Sequence, residues 1–150
     1  MKALVAYYTR YGNTAKIAQA IATGMKEAGL VDVTVKEVAS VGVEDFKSAD
    51  IWIIGSPTHF WSAVGEIKKA LKAALAAGPQ GKAGAAFDTR YKGPTKGAAN
   101  KIEETLSEAG VKIVVPCEFY LVMKGDGPLA DGEEARAQAF GRKIAAAVAH

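Results

Sequence analysis

The chain has 150 residues, of which 49% are hydrophobic and 23% charged, a balance typical of one globular domain that spans residues 1–150. Its apolar runs are shorter than the ~20 residues needed to cross a bilayer, and a strand predicted directly after Met1-Lys2 leaves no room for a signal peptide, so we expect no membrane contact. The single cysteine, Cys117, excludes an internal disulfide, favours a cytoplasmic location and is expected to be a packing residue. Because the basic residues behind the net charge of +3 are scattered, we expect no nucleic-acid partner.

Hydrophobic periodicity alternates between strand-like runs and helical patterns along the chain. In chain order, the predicted elements are a strand at 3–8, a helix at 13–28, a strand at 31–36, a helical turn at 43–47, a strand at 50–55, a helix between Ser62 and Gly78, a strand at 82–88, a helix closed by Gly110, a strand at 111–115 that continues at 119–123 after an interruption at Pro116, and a last helix from Asp131. In the third helix, Leu71 and Leu75 are predicted to face the core, and Asp131 with Glu134 resembles a capping box of the last helix.

This order of elements predicts an α/β domain with three layers, in which helices cover both faces of a doubly wound, five-stranded parallel sheet. The run 51–54 is apolar throughout, which is typical of a central parallel strand. The run 31–36 alternates apolar and polar residues instead, which indicates a strand at a sheet edge. The strand order 2-1-3-4-5 fits this pattern best.

A polar segment at 9–14, Thr-Arg-Tyr-Gly-Asn-Thr, connects the first strand to the first helix. Free backbone N–H groups and the positive end of the helix dipole favour an anion at such a helix N-terminus. The hydroxyl groups and the amide of the segment are suited to hydrogen-bond phosphate oxygens. The segment therefore predicts a phosphate site, and the alternative is an ordinary turn capped by Asn or Thr.

Two further loops leave the sheet at the same edge, after the third and fourth strands. Residues 56–62 are Ser-Pro-Thr-His-Phe-Trp-Ser, and residues 88–94 are Asp-Thr-Arg-Tyr-Lys-Gly-Pro. Aromatic side chains on both loops predict a flat ring held between them, with its phosphate in the first loop. As alternatives, Phe60 and Trp61 begin the next helix and pack on the sheet, and Asp88 caps a helix or a turn.

Three motifs together resemble the flavodoxin family. The segment 8–14 resembles the FMN phosphate loop of flavodoxins, the segment 55–61 their second FMN loop, and the segment 87–91 their third. Gly127-Pro128-Leu129, followed by an acidic run and a terminal helix, is also similar to flavodoxin-like domains of multidomain flavoproteins. The resemblance covers the whole chain and implies a flavodoxin-like fold with non-covalently bound FMN as the cofactor.

The resemblance also implies which residues bind the cofactor. The phosphate group would be held by Thr9, Arg10, Tyr11, Gly12, Asn13 and Thr14. One side of the flavin ring would be lined by Pro57, Thr58, His59, Phe60 and Trp61. The pyrimidine end and the other face would meet Asp88, Thr89, Arg90 and Tyr91. We predict no catalytic residue. We also predict no metal site, because His59 has no second ligand at metal spacing.

Two features depart from the family pattern. Many flavodoxins have a hydroxyl residue where this chain has Tyr11, so we expect one phosphate hydrogen bond fewer, for which Arg10 compensates by its charge if it turns inward. In many relatives a glycine in the second loop lets a peptide flip towards the reduced flavin, but this chain has no glycine between Ser56 and Val64.

We therefore expect a low-potential electron carrier that exchanges electrons with redox partner proteins, a reductase and an acceptor, as a monomer or weak homodimer. Aromatic walls and a low dielectric beside a phosphate disfavour additional negative charge on the flavin, which lowers its potential. Two alternatives stay open. One is an FMN-dependent NAD(P)H:quinone-type oxidoreductase of the same fold, and the other is a flavodoxin-like binding module without flavin. Short loops without insertions favour the carrier over a stand-alone catalyst.

Overall fold

The computed structural model describes residues 1–30, 32–58, 64–91 and 96–149. The elements in these ranges are β1 (Ala3–Tyr7), α1 (Asn13–Glu27), β2 (Val33–Glu37), a 3₁₀ turn (Val38–Ser40), α2 (Val43–Ser48), β3 (Ile51–Pro57), α3 (Gly65–Ala76), β4 (Ala83–Arg90), α4 (Ala98–Glu108), β5 (Lys112–Ile113), β6 (Glu118–Leu121) and α5 (Glu133–Val148). None of the helices in the described ranges is long and apolar enough to cross a membrane.

The strands form one parallel sheet in the order β2-β1-β3-β4-β5, which confirms the predicted order and the edge position of the half-polar strand β2. β5 pairs with Ala83 and Gly84 at the start of β4. β6 pairs in the same direction with Phe87–Arg90 at the other end of β4. The fifth strand is therefore split into two pieces, which confirms the predicted interruption, and its first piece is shorter than the predicted run 111–115.

Two apolar cores lie on opposite faces of the sheet because successive side chains of a strand point to opposite sides. In β1, Leu4 and Ala6 join the core that contains residues of α3 and α4. Ala3 and Val5 join the core that contains residues of α1 and α5. The three predicted layers are thus present, with the strand ends left open between the helices.

Two glycines let α1 and α5 approach backbone to backbone. A Cβ atom at Gly24 would collide with the backbone of Gln138, and one at Gly141 would collide with the backbone of Ile21. The helix pair therefore closes over one face of the sheet more tightly than larger residues permit. This contact holds α5 close to the helix that begins at the polar segment 9–14.

The predicted inward position of Leu75 is wrong. Its side chain is 40% exposed, and Ala74 occupies the buried position on that part of α3. The helix is rotated so that its small alanine side chains, together with Ile67 and Leu71, face the sheet. The sequence pattern favoured the larger residue, whereas close packing on the sheet selected the smaller one.

The predicted capping box of the last helix is also wrong. α5 begins after Gly132, which has a left-handed φ of +84° and makes no side-chain cap. The buried residue of the first turn is Glu133, whose carboxylate accepts a hydrogen bond from the Leu121 N–H at 2.6 Å. The helix start is therefore tied to β6 rather than to its own first turn.

Leu71 and Leu75 lie about one turn apart on α3, so the same substitution at both positions compares a buried leucine with an exposed one. Leu71→Ala removes a side chain that is only 6% exposed, so we expect the free energy of unfolding to fall by about 2–5 kcal/mol through lost burial and cavity formation. Leu75→Ala should change it by less than about 1 kcal/mol, because that side chain is half exposed. Urea unfolding measures both values, and equal losses would contradict the observed orientation of α3.

Candidate functional site

A cleft opens where β1, β3 and β4 end. It consists of two adjoining cavities of about 290 and 250 Å³. Both are lined by the same five residues: Arg10, Tyr11, Pro57, Thr58 and Gly125. The larger cavity also meets Thr9, Asn13, Thr14, Thr89, Tyr91 and Val122, and the smaller one meets Tyr8 and Val64. The three loops predicted to meet at this edge of the sheet therefore contribute to one cleft.

The first loop is folded around the hydroxyl group of Thr9. Its Oγ1 accepts hydrogen bonds from the backbone N–H groups of Gly12 at 2.9 Å and Ala15 at 3.4 Å. Gly12, at φ +92°, has the left-handed backbone that glycine adopts without strain, and α1 begins directly after it. Since the Thr9 oxygen accepts both bonds, its own O–H proton remains able to donate. The loop thus presents a helix N-terminus and a hydroxyl donor in one place.

Thr14 ties the first loop to the third. The hydroxyl oxygens of Thr14 and Thr89 lie 2.9 Å apart, and both residues are buried. Because one hydroxyl donates to the other, the accepting partner keeps a proton that it can donate elsewhere. The pair therefore joins β4 to α1 and retains one hydrogen-bond donor at the cleft.

A fourth segment, not predicted from the sequence as part of the site, completes this side of the cleft. Asn13 Nδ2 donates to the carbonyl oxygen of Asp126 at 3.1 Å. A Cβ atom at Gly127, which has φ +110°, would lie 2.7 Å from Asn13 Nδ2, so glycine permits the close approach. Gly125 lines both cavities. The only signal for this segment in the sequence is the Gly127-Pro128-Leu129 motif, which indicates a family resemblance but does not by itself predict a wall of the cleft.

The second loop is anchored through Thr58. Its N–H donates to the carbonyl oxygen of Thr89 at 2.9 Å, and its Oγ1 accepts from the Ala98 N–H at 3.0 Å. Pro57 and Thr58 both line the cleft. His59, Phe60 and Trp61 lie outside the described residues, so their contact with a flavin ring stays a prediction.

The third loop begins later than predicted because β4 continues to Arg90. Thr89 and Tyr91 line the cleft, and the Tyr91 side chain is 52% exposed. Asp88 and Arg90 point to the opposite face of β4, where they form an ion pair with an N–O distance of 2.6 Å. Asp88 is 0% exposed and also accepts from the Ala99 N–H at 2.8 Å. A direct flavin contact by Asp88 does not fit this geometry, and the alternative reading of Asp88 as a helix cap does.

Arg10 and Tyr11 form the mouth of the cleft. Tyr11 is 54% exposed, and the Arg10 guanidinium carbon lies 5.2 Å from the centroid of its ring. This cation–π contact keeps the exposed Arg10 beside the loop rather than fully extended into solvent. The arrangement places a positive charge next to the N-terminus of α1.

Cys117 is a half-buried packing residue beside α4, as predicted. Its sulfur accepts a hydrogen bond from Asn100 Nδ2 at 3.7 Å. Burial, followed by the nearby carboxylates of Glu103 and Asp88, raises the pKa of the thiol from 9.0 to about 11. In the described ranges, no group of three His, Cys, Asp or Glu side chains is arranged to hold a metal ion.

Comparisons with known proteins point to one family. A family model described as Flavodoxin matches residues 5–140. The type A flavoprotein fprA of Rhodobacter capsulatus is 34% identical over 146 residues, which cover 95% of this chain and 32% of that protein. A flavodoxin of Clostridium saccharobutylicum is 29% identical over 89 residues, which cover 59% of this chain and 56% of that protein. The solved structure of a flavodoxin from the domain Archaea has a TM-score of 0.84 and 29% identity, and the match covers 100% of both chains.

The chain spans between 19% and 56% of the length of the first curated relatives that it matches. Those relatives include longer flavoproteins as well as a flavodoxin. The similarity to the longer proteins therefore concerns a part of each of them.

The role of Thr9 in the loop predicts a stability effect. Thr9→Val keeps the shape of the side chain but removes the oxygen that accepts from Gly12 and Ala15, so we expect the free energy of unfolding to fall by about 1–2 kcal/mol. Thr23→Val is the control, because the exposed Thr23 hydroxyl in α1 donates to the Gln19 carbonyl. Its loss should lower the free energy of unfolding by less than about 0.5 kcal/mol. Urea unfolding compares the two variants. An unchanged free energy of unfolding in Thr9→Val would show that this hydroxyl does not hold the loop.

The raised pKa of Cys117 predicts its reactivity and a pH dependence. Because the folded chain holds the thiol proton more tightly than the unfolded chain, this group contributes its full stability below pH 9, and the contribution is lost as the pH rises towards 11. At pH 8 the thiolate fraction should be roughly 100-fold smaller in the folded chain. Because iodoacetamide reacts with the accessible thiolate, alkylation should be slower in native buffer than in urea by roughly 100-fold or more, and equal rates would contradict the raised pKa of the thiol.

Proposed function

The chain belongs to the flavodoxin family, and from this premise we propose that it binds FMN non-covalently and carries electrons at low potential between redox proteins. The observation that carries the proposal is the convergence of three loops, from the ends of β1, β3 and β4, on one cleft that contains the N-terminus of α1. This is the position at which parallel α/β sheets bind ligands. FMN, when bound, supplies the ability to accept and release electrons.

The first loop has the donors that a phosphate group requires. Thr9 retains an O–H proton, the Thr14–Thr89 pair retains one more, and the Asn13 amide retains the N–H that does not bond Asp126. The N-terminus of α1 adds backbone N–H groups and its dipole. In this proposal the hydroxyl groups and the helix end bind the phosphate, and Arg10 adds charge at the mouth of the cleft.

The cleft as a whole has the size of a small-molecule site, and its other walls offer surfaces for a flat ring. The two adjoining cavities together reach the range of about 300–1,000 Å³ that is usual for small-molecule sites. Tyr91 offers an aromatic surface at one side, and Pro57 with Thr58 forms part of the other. We propose that Phe60 or Trp61 supplies the second stacking surface. The exposed rim would leave the ring edge accessible to a partner protein.

Reconstitution with FMN tests the proposal. We expect the purified chain to retain FMN through gel filtration, with the visible absorbance of a bound flavin and quenched flavin fluorescence. The chemically reduced, FMN-loaded chain should pass its electrons to an added one-electron acceptor without consuming NAD(P)H. A chain that never acquires a flavin spectrum would overturn the proposal.

One observation favours a second candidate function, an FMN-dependent NAD(P)H:quinone-type oxidoreductase. A cavity of about 530 Å³ lies between the 3₁₀ turn and α3, and it is lined mainly by apolar residues such as Val38, Val41 and Ala70. It shares Tyr8 with the smaller cavity of the cleft, so an apolar acceptor there would lie near the ring site. Steady-state oxidation of NADH or NADPH by the FMN-loaded chain with menadione, without a separate reductase, would favour the enzyme over the carrier.

Arg10 provides a specific prediction for the phosphate side of the site. Arg10→Gln should weaken FMN binding by about tenfold at low salt, because a charge-assisted contact to the phosphate is lost. Riboflavin, which lacks the phosphate, should bind equally to both proteins, and the difference for FMN should shrink as salt increases.

The control is Arg142→Gln, because Arg142 lies on α5 and pairs with Glu27. This variant should bind FMN as the parent chain does. Fluorescence titration of the parent chain and both variants with both flavins gives six affinities, and an equal loss for FMN and riboflavin in Arg10→Gln would contradict a phosphate contact.

A further inference from the structure

The start of α4 makes one hydrogen bond within the helix and is also bonded to two other segments, the second loop of the cleft and the end of β4. The Gly97 N–H donates to Asn100 Oδ1 at 2.8 Å, within the helix itself. The next two N–H groups reach other elements: Ala98 donates to Thr58 Oγ1 at 3.0 Å, and Ala99 donates to Asp88 Oδ2 at 2.8 Å. One helix end is therefore fixed simultaneously to the second loop of the cleft and to the end of β4.

Arg90 completes this arrangement by pairing with Asp88 along the same face of β4. Its Nε donates to Asp88 Oδ1 at 2.8 Å and its Nη2 to Asp88 Oδ2 at 2.6 Å, a bidentate contact. The guanidinium carbon lies 4.3 Å from the centroid of the Phe119 ring, and the side chain is 4% exposed. A planar, always charged guanidinium suits a site that combines stacking with bidentate pairing, which an ammonium group does not reproduce.

Gly97 is required here for space. Its φ of −140° is extended and open to any residue. A Cβ atom would nevertheless lie 2.6 Å from Thr58 Oγ1 and 2.7 Å from Arg90 Nη2. A side chain at position 97 would therefore push the second loop and Arg90 away from the helix end at the same time.

We propose that Asp88, Arg90 and Gly97 form a positioning cluster that holds Thr58 and Tyr91, the walls on the ring side of the cleft, without touching the ligand. Thr58 is bonded to the helix end, and Tyr91 follows Arg90 directly in the chain. The phosphate side is held chiefly through Thr9 and Asn13, and the Thr14–Thr89 hydroxyl pair joins it to β4. The role of the cluster in ligand binding rests on the proposed FMN function, whereas its effect on Thr58 does not.

Gly97→Ala tests the positioning cluster, and Gly42→Ala is its matched control. Both glycines precede a helix in extended conformation, and both donate their N–H to the side chain three residues later, Asn100 or Asp45, at 2.8 Å. A Cβ atom at Gly42 meets nothing within 4 Å. The two variants therefore impose the same change on a helix start and differ in what the added methyl group contacts.

Amide hydrogen exchange of the flavin-free chain provides the first readout. The Thr58 amide is bonded to the Thr89 carbonyl at 2.9 Å, so it should be protected. We expect Gly97→Ala to accelerate its exchange by about tenfold or more, while the Lys16 amide, bonded to the Gly12 carbonyl in the first loop, exchanges as before. Gly42→Ala should leave both amides unchanged. Unaltered Thr58 exchange in Gly97→Ala would overturn the positioning role whether or not the chain binds flavin.

Flavin affinity provides the second readout. Gly97→Ala should weaken FMN and riboflavin by the same factor, of about 10- to 100-fold, because the ring side is displaced and the phosphate side is not. A loss confined to FMN, or no loss for either flavin, would overturn the proposal while leaving the FMN function intact. If the parent chain bound no flavin, the FMN function would fail and the Thr58 exchange would still decide the positioning role.

Arg90→Lys provides an independent variant should Gly97→Ala fail to fold. It keeps a positive charge beside Asp88 but loses the bidentate pairing and the stacking on Phe119. We expect the same accelerated Thr58 exchange and the same parallel loss of FMN and riboflavin affinity. Thr58 exchange that stays unchanged in a folded Arg90→Lys variant would contradict the proposal.

Discussion

Parallel pairing sets the carboxyl ends of β1, β3 and β4 side by side, and the cleft follows from this alignment. Tyr7 pairs with Gly55, and Pro57 pairs with Thr89, so each strand delivers its loop to the same edge of the sheet. A Cβ atom at Gly55 would collide with the ring of Phe87, its pairing partner on β4. The glycine at this position thus serves the sheet that carries the cleft, and the helices on both faces leave its edge open.

The polar groups at the strand ends differ in whether they are bonded only within the protein or keep a proton that they can donate. Within the described ranges, every buried side-chain nitrogen or oxygen has a hydrogen-bond partner. On the α4 side, the Asp88 carboxylate accepts hydrogen bonds from Arg90 and from the Ala99 N–H at the start of α4. On the α1 side, Thr9 and the Thr14–Thr89 pair are held in place by accepting hydrogen bonds and keep protons to donate. One strand, β4, therefore supplies a buried ion pair on one face and a residue that lines the cleft on the other.

The sequence allowed the strand order and the three loops to be predicted because they depend on patterns spread over many residues: continuous apolar strands, an alternating edge strand and polar strand ends. The errors come from single side chains. Asp88, Thr89 and Arg90 looked like a polar loop, but they alternate across β4, and their partners on α4 and α1 make burial possible. The contact of Asp126 with Asn13 joins residues that are far apart in the chain, so no local pattern indicates it.

A titration of the ¹⁵N-labelled chain with FMN, followed by amide chemical shifts, tests whether the aligned strand ends form one FMN site. Such a site predicts saturable shifts at residues 9–14, at Thr58, at Thr89 to Tyr91 and at Gly125. It predicts none along the exposed face of α4 around Glu104 and Glu108, which lines a separate cavity of about 540 Å³. Shifts centred on that α4 cavity, or no saturable shifts at the strand ends, would contradict an FMN site at the strand ends.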